Sequence, residues 1–265
     1  MVNLLQRLGF LLALVTSLAC AQAHADALSD IIKHEKIKVG VSLFTPWTIQ
    51  SSKGKLAGFE IDIAKKIAAD MGVEVEFKVY PWEKIMPALQ KGEIDFIAAG
   101  MAITPKRALR VDFTQPYSES GVTLATHTAN TKDINSLIEL NKESVVIAAV
   151  QDTIGGDLAA SVFDKATLTY FETPQLAEAA VLEGKAQGYV ASEAMARIFA
   201  MTHADTVDLP LPERLLTYKI AFAVSKGEQP LLNFLNAWIV SRTADRWIPA
   251  TESFWFDSLE WQEAQ

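Results

Sequence analysis

Short apolar runs alternate with stretches of helical periodicity along most of this 265-residue chain. Residues 37–41 form an apolar run of strand length, and residues 61–71 carry apolar side chains three and four positions apart, as one face of a helix does. Residues 74–79 then alternate polar and apolar side chains, which is typical of a half-buried strand. A further helical pattern spans 82–90. This alternation predicts an α/β fold.

The second half of the chain repeats the same alternation. Strands are predicted at 144–150, 167–171, 188–191 and 220–224, and helices at 157–163, 174–182 and 231–241. No intervening stretch has the composition of a flexible linker. If the chain forms two domains, they therefore join through ordered strands, and two such crossings would act as a hinge. The candidates are residues 117–121 and 218–222.

The first 25 residues have the pattern of an export signal. Arg7 is the only charged residue among them, an apolar run follows it, and Ala23-His24-Ala25 has the spacing of a cleavage site. The apolar run is short for a membrane span. The sequence therefore predicts a signal peptide at 1–25 and an exported mature chain. A lipoprotein acylated on Cys20 is the alternative, although Leu18 lies one place too late for a good lipoprotein motif.

Composition excludes several kinds of site. The net charge of −8 argues against a nucleic-acid partner. Removal of residues 1–25 would remove the only cysteine, and the histidines lack the spacing of metal ligands, so we predict neither a metal nor a cofactor. The chain also lacks the motifs of a nucleophile elbow, a P-loop and a dinucleotide fold. Carboxylates are abundant, so the sequence does not exclude a catalytic acid–base pair.

The stretch 92–107 predicts an anion site. A buried strand at 94–99 ends at Gly100, whose lack of a side chain lets the backbone approach a ligand. Thr104 and Pro105 then have the residue types of a helix cap and a first helical position, and Arg107 lies in the first turn. Helix N-termini and arginine both hold carboxylates. The alternative is a surface helix with a solvated Arg107.

Several of these segments together resemble a known family. Residues 58–62, 92–95, 100–107 and 111–117 are similar to the periplasmic solute-binding proteins of polar amino-acid ABC transporters, and the similarity extends over essentially the whole mature chain. The resemblance implies a two-lobed periplasmic-binding-protein-like (type II) fold with a two-strand hinge. Lobe 1 would comprise 26–117 and 222–265, and lobe 2 would comprise 122–217. The lobes of such a protein, expected to be a monomer, close on a small ligand.

The resemblance also implies a set of ligand-binding residues. Arg107 would bind a carboxylate, the backbone at Gly100 would touch the ligand, and the rings of Phe44 and Trp82 would pack on its side chain. From lobe 2, a loop containing Thr153 and Ile154 would offer N–H groups and a hydroxyl.

Two positions depart from the family pattern. Ala102 stands where serine or threonine is usual, and Ser192 stands where an aspartate normally holds the ligand's α-ammonium group, with Glu193 beside it. A buried ammonium group needs a charged or multiply hydrogen-bonded partner. Either Glu193 replaces the aspartate, or the ligand is a carboxylate that lacks an α-ammonium group.

The expected function is therefore that of a periplasmic receptor. It would capture an amino acid or a related small carboxylate and deliver it to an inner-membrane ABC permease, without catalytic residues. The leading alternative is an enzyme on the same scaffold, similar to periplasmic cyclohexadienyl dehydratases, in which a carboxylate such as Glu193 would act as general acid. A sensory input subunit is the third possibility.

Overall fold

The computed structural model describes residues 26–132, 136–211, 213–257 and 261, so the predicted signal peptide and Cys20 lie outside the described residues. The helices in this part are α1 Ala27–His34, α2 Phe59–Met71, α3 Trp82–Gln90, α4 Pro105–Ala108, α5 Thr128–Thr131, α6 Leu137–Leu140, α7 Ile154–Val162, α8 Pro174–Leu182, α9 Glu193–Thr202, α10 Gln229–Ala244 and α11 Trp247–Phe256. Within the described ranges, no helix combines the length and apolarity needed to cross a membrane.

The strands are β1 Lys36–Val41, β2 Ile49–Gln50, β3 Leu56–Ala57, β4 Glu74–Val79, β5 Phe96–Ile97, β6 Asp112–Phe113, β7 Ser118–His127, β8 Val146–Val150, β9 Thr167–Phe171, β10 Gly188–Ser192, β11 Val207–Asp208, β12 Leu216–Ile220 and β13 Ala223–Val224. They form two main sheets and the small β2–β3 pair.

The first sheet has the order β4-β1-β5-β13-β6. Strand β1 runs parallel to β4 and β5, whereas β13 returns antiparallel to β5 and β6. Its apolar side chains pack with α2 and α10 in one core, which includes Val39, Ile67 and Leu235. This arrangement explains the helical periodicity of residues 61–71, because one face of α2 is buried against the sheet.

The second sheet has the order β11-β7-β10-β8-β9, and β12 also pairs with β7. Strands β8, β9 and β10 are parallel, and β7 is antiparallel to β10, β11 and β12. This sheet has separate cores, one of which contains Ala148, Tyr189 and Phe199. Two α/β units with their own cores confirm the predicted two-lobed fold class.

The chain passes between the sheets twice, at neighbouring places. It enters the second sheet at Ser118, which lies opposite Ile220, the last residue of β12. Just before this point the Tyr117 N–H donates to the Ile220 carbonyl (3.0 Å). The first crossing, between β6 and β7, ends at Tyr117, where the predicted hinge segment 117–121 begins, and the second, at residues 221–222, lies inside the segment 218–222. The lobe limits 26–117 with 222–265, and 122–217, stay predictions that this sheet membership supports.

Local sequence patterns predicted several elements to the residue, among them β4, α3, β9 and α8. The predicted strand 220–224 is wrong as one element, since β12 ends at Ile220 and β13 begins at Ala223. The break arises because the intervening N–H groups bond elsewhere: Ala221 donates to the Met101 carbonyl (3.2 Å) and Phe222 to Thr114 Oγ1 (3.1 Å). These bonds attach the hinge to the loop that carries the predicted site.

Candidate functional site

A cavity of about 350 Å³ lies between the two sheets and is lined by residues of both lobes. It brings together eight of the nine residues predicted from the sequence, namely Phe44, Trp82, Gly100, Ala102, Arg107, Thr153, Ile154 and Ser192. The ninth, Glu193, does not line it. Residues that are distant in the chain therefore converge on one cleft, as a ligand site requires.

Gly100 forms the floor of the cavity on the lobe 1 side. Its φ of 61° lies in the left-handed region that favours glycine. Its N–H donates to Glu60 Oε1 (2.7 Å), and the same oxygen accepts from the Tyr117 hydroxyl (2.5 Å). Glu60 is fully buried, and this burial raises the pKa of its carboxyl to about 7. The Gly100 N–H is thus engaged by the protein, and Glu60 connects the cavity floor to the start of the hinge.

We expect Gly100→Ala to destabilise the fold by about 1–3 kcal/mol in urea unfolding. The substitution forces alanine into the left-handed region, and its Cβ would lie 3.0 Å from Trp47 Cδ2. Gly54→Ala is the matched control, because Gly54 has a φ of 80° but open space around its Cβ position. The same loss of stability in both variants would show that the Trp47 contact contributes nothing.

Arg107 is held at the start of the one-turn helix α4. As predicted, Thr104 caps this helix, its Oγ1 accepting from the Arg107 N–H at 3.2 Å. The Arg107 Nη1 donates to the Ala102 carbonyl (3.0 Å), and burial lowers the pKa of the guanidinium. Because α4 has only four residues, its dipole is small. We therefore assign the anion-binding capacity to the guanidinium, not to the helix terminus.

A single carbonyl of lobe 2 accepts two hydrogen bonds from lobe 1. The Asp152 carbonyl accepts from Trp82 Nε1 (2.9 Å) and from Arg107 Nη2 (3.1 Å). The Arg107 guanidinium also lies 5.2 Å from the centroid of the Trp82 ring, within the range of a cation–π contact. We call these three residues the Asp152 clasp. The clasp joins the two walls of the cavity directly beside the predicted anchor.

The lobe 2 wall is formed by the beginning of α7. The predicted helix at 157–163 in fact begins at Ile154, with Thr153 as its cap. Thr153 Oγ1 accepts from the Gly156 N–H (3.0 Å) and donates to the Val150 carbonyl (2.8 Å). The hydroxyl proton of Thr153 is therefore committed to the Val150 carbonyl, and Ile154 and Gly155 at the start of α7 line the cavity beside it.

Ser192 and Glu193 leave the end of β10 on different sides. Ser192 is buried at the cavity wall, and its Oγ accepts from the Met195 N–H (3.4 Å) as the cap of α9. Glu193 pairs with Arg214 (2.6 Å) and Arg197 (3.0 Å). It lines a second cavity of about 410 Å³, which α9 and α11 help to form. Successive residues at a strand end point to opposite faces, which explains this separation.

The position of Glu193 corrects one expectation. As a replacement for the missing aspartate, or as a general acid in the cleft, Glu193 would have to line the ligand cavity. The structure instead places it between two arginines outside that cavity. Neither role is supported by this position.

Sequence reasoning missed several residues that line the cavity. Tyr218 lies there, and burial raises the pKa of its phenol. The sequence feature that could have indicated Tyr218 is its position in the predicted hinge segment 218–222. Tyr189, Met195 and Glu172 also line the cavity, and no local pattern marked them. Tyr189 and Met195 are buried, whereas Glu172 is exposed.

Comparison with known proteins identifies similar chains over most of this length. The sequence model of the bacterial extracellular solute-binding proteins, family 3, matches residues 37–258. The glutamine-binding protein GlnH of a Bacillus subtilis ABC transporter is 30% identical over 232 residues, which are 86% of this chain and 83% of that protein. A probable histidine-binding protein of Neisseria gonorrhoeae is 27% identical over 195 residues, covering 73% and 72% of the two chains.

Solved structures agree with this likeness. A crystal structure of an ancestral amino acid-binding protein, described as a precursor of cyclohexadienyl dehydratase, has a TM-score of 0.81 and 32% identity, and the match covers 88% of this chain and all of that one. A putative binding component of an ABC transporter from Wolinella succinogenes, complexed with lysine, has a TM-score of 0.82 and 26% identity, with 86% and 99% covered.

Proposed function

This chain belongs to family 3 of the bacterial extracellular solute-binding proteins, and we propose that it binds an amino acid or a related small carboxylate through Arg107. It is a solute receptor for ABC transport, as the Bacillus subtilis relative is by its name. Members of the family are periplasmic or extracellular. The pattern of residues 1–25 supports a periplasmic location for the mature chain, where it would act as a monomer and deliver its ligand to an inner-membrane permease.

One observation carries the carboxylate assignment. Arg107 is half-buried and contributes the only cation among the residues that line the interlobe cavity. A guanidinium can hold a carboxylate through two parallel hydrogen bonds. Two of its N–H groups already bond to carbonyls of Ala102 and Asp152, and neither of these contacts neutralises its charge. An anionic ligand would supply the missing negative charge.

The lining residues come from both lobes, so a bound ligand favours closure of the two lobes on it. A ligand that touches Arg107 on lobe 1 and the start of α7 on lobe 2 has a higher affinity for the closed form, and it shifts the equilibrium by that difference in affinity. The Asp152 clasp adds hydrogen bonds between the lobes in the same form. Closing also removes water from the guanidinium, which strengthens its pairing with a carboxylate.

A thermal-shift screen of amino acids and small organic acids tests the proposal. A ligand at 100 times its Kd stabilises the native state by about 2.7 kcal/mol, which corresponds to a rise in melting temperature of about 5–10 °C for a chain of this size. The carboxamide of the best compound is the matched control, because it keeps the shape and lacks the charge. An equal shift with the carboxamide would contradict a carboxylate site.

We also propose that the protein binds its ligand without converting it. The carboxylate considered as a general acid, Glu193, lies outside the cavity in salt bridges with arginines. Incubation with prephenate and with arogenate should therefore yield neither phenylpyruvate nor phenylalanine. Formation of either product would favour the dehydratase alternative, which the described precursor among the similar structures keeps relevant.

A further inference from the structure

We propose that the ligand is a monocarboxylate with an apolar body and no ammonium group, such as a 2-oxo acid or a simple carboxylic acid, and not a free amino acid. The inference rests on the proposed function, since it takes Arg107 as the carboxylate anchor. It concerns the group beside the ligand's carboxylate, for which the cavity wall offers no buried anionic partner.

The charges along the cavity are the first argument. Arg107 and Glu172 are the only charged side chains among its lining residues. Glu172 is exposed, so water solvates its carboxylate at the edge of the site. Among the lining residues that are not exposed, Arg107 is therefore the one charged side chain. A monocarboxylate neutralises this charge completely when it binds.

A zwitterionic amino acid leaves a net positive charge in the cavity when it binds. Its carboxylate pairs with Arg107, and its ammonium group then remains as a second, uncompensated cation in the same enclosed volume. Removing an ammonium group from water without an anionic partner is strongly unfavourable. The carboxylates of Asp152 and Asp157 favour the charged form of Arg107, but neither residue lines the cavity to receive an ammonium group.

The buried polar groups of the cavity wall are neutral. Three buried residues of the wall carry a hydroxyl, namely Ser42, Tyr189 and Ser192. Ser192 Oγ is moreover occupied as the cap of α9. Glu193, next to it in sequence, is turned to the second cavity, and Glu60 is enclosed beneath Gly100. Glu60 and Glu193 are thus separated from the ligand cavity.

Much of the remaining wall is apolar. Phe44, Ile154 and Met195 come from both lobes and line the cavity, and the exposed side chains of Leu43 and Val79 also contribute to its wall. Burying an aliphatic or aromatic ligand body against such a wall is favourable. The same wall offers no partner for a second charged group on the ligand. Together with one guanidinium, it selects an amphipathic organic acid.

Matched compounds test this inference by calorimetry at pH 7. One set is L-leucine, 4-methyl-2-oxopentanoate and 4-methylpentanoate, and the other is L-phenylalanine, phenylpyruvate and 3-phenylpropanoate. Within each set the body is constant and only the substituent beside the carboxylate changes. We expect the acids without the ammonium group to bind at least about tenfold more tightly than the amino acid.

The outcomes separate the two proposals. Tighter binding of either amino acid than of its oxo and deamino partners overturns this inference and leaves the proposed carboxylate receptor intact. Binding of no carboxylate, in these sets or in the wider screen, overturns both. Preference for the oxo acid or the simple acid supports both.

A substitution at Ser192 provides the reciprocal experiment. Aspartate is as good a helix cap as serine, so Ser192→Asp keeps the cap of α9 while adding a negative charge to the cavity wall. We expect this variant to gain at least about tenfold in affinity for L-leucine or L-phenylalanine relative to the matching oxo acid. Ser192→Asn, also a good cap and similar in shape but neutral, should gain no such preference. An unchanged ratio in a folded Ser192→Asp variant contradicts the charge argument.

Discussion

Replacing Arg107 by alanine should weaken carboxylate binding by about 30-fold or more. Removing one partner of a buried, hydrogen-bonded charge pair costs about 2–5 kcal/mol, and each 1.4 kcal/mol is a factor of ten in Kd. The loss has two sources. The ligand carboxylate loses its bidentate partner, and the Asp152 clasp loses the bond from Arg107 Nη2. Calorimetry with the best compound of the thermal-shift screen measures the combined effect.

Two further variants serve as controls for Arg107→Ala. Arg110→Ala removes a nearby exposed arginine that bonds to Gln90, so its affinity should equal that of the wild type. Arg107→Lys keeps the charge but loses the planar fork, and it should bind with intermediate affinity. Wild-type affinity in Arg107→Ala would remove this residue from the site and with it the carboxylate assignment.

The buried carboxyl of Glu60 should make stability decrease as pH rises from about 4.5 to about 7. Burial raises its folded-state pKa from 4.5 to about 7, so the folded protein keeps the proton over a range in which the unfolded chain has released it. Each unit of difference is 1.36 kcal/mol, which gives a loss of roughly 3 kcal/mol across this window. The stabilising contribution is fully present below pH 4.5 and is lost once pH passes the folded pKa.

Glu60→Gln is the variant that isolates this effect. Glutamine retains an oxygen that can accept from the Gly100 N–H and the Tyr117 hydroxyl, but it does not titrate. Urea unfolding between pH 4.5 and 8 should therefore show a smaller decrease in the variant. Burial also raises the pKa of Glu178 to about 7, and the difference between wild type and variant removes that shared contribution. Parallel pH profiles would show that Glu60 does not titrate in this range.

Local patterns were sufficient where neighbouring residues decide the structure. Thr104 followed by Pro105 predicted the cap of α4, because a cap depends on a side-chain oxygen only three residues before the N–H group that donates to it. Thr173 followed by Pro174 caps α8 in the same way. Gly72 likewise ends α2 in the left-handed conformation. These local signals, together with the family resemblance, located eight of the nine predicted residues on one cavity.

The remainder depends on contacts that no local pattern contains. Strand β7 has polar residues at its start and was missed, because its burial comes from β10 and β12 pairing on either side. The partners of Glu60 lie 40 and 57 positions away in the chain. Glu193 was misplaced because the choice between two cavities depends on Arg214, 21 positions later and on another element.

The shared acceptor of the Asp152 clasp also bears on how fast a bound molecule can leave. Trp82 and Arg107 donate to the same oxygen, so the lobes separate only when both bonds break in one opening event. The residence time then depends on a contact that the ligand does not make, and molecules with different affinities can share a similar limiting release rate. The clasp would therefore set the rate of ligand release to the membrane partner. A partner that displaces the Asp152 loop would speed ligand dissociation without contacting the ligand.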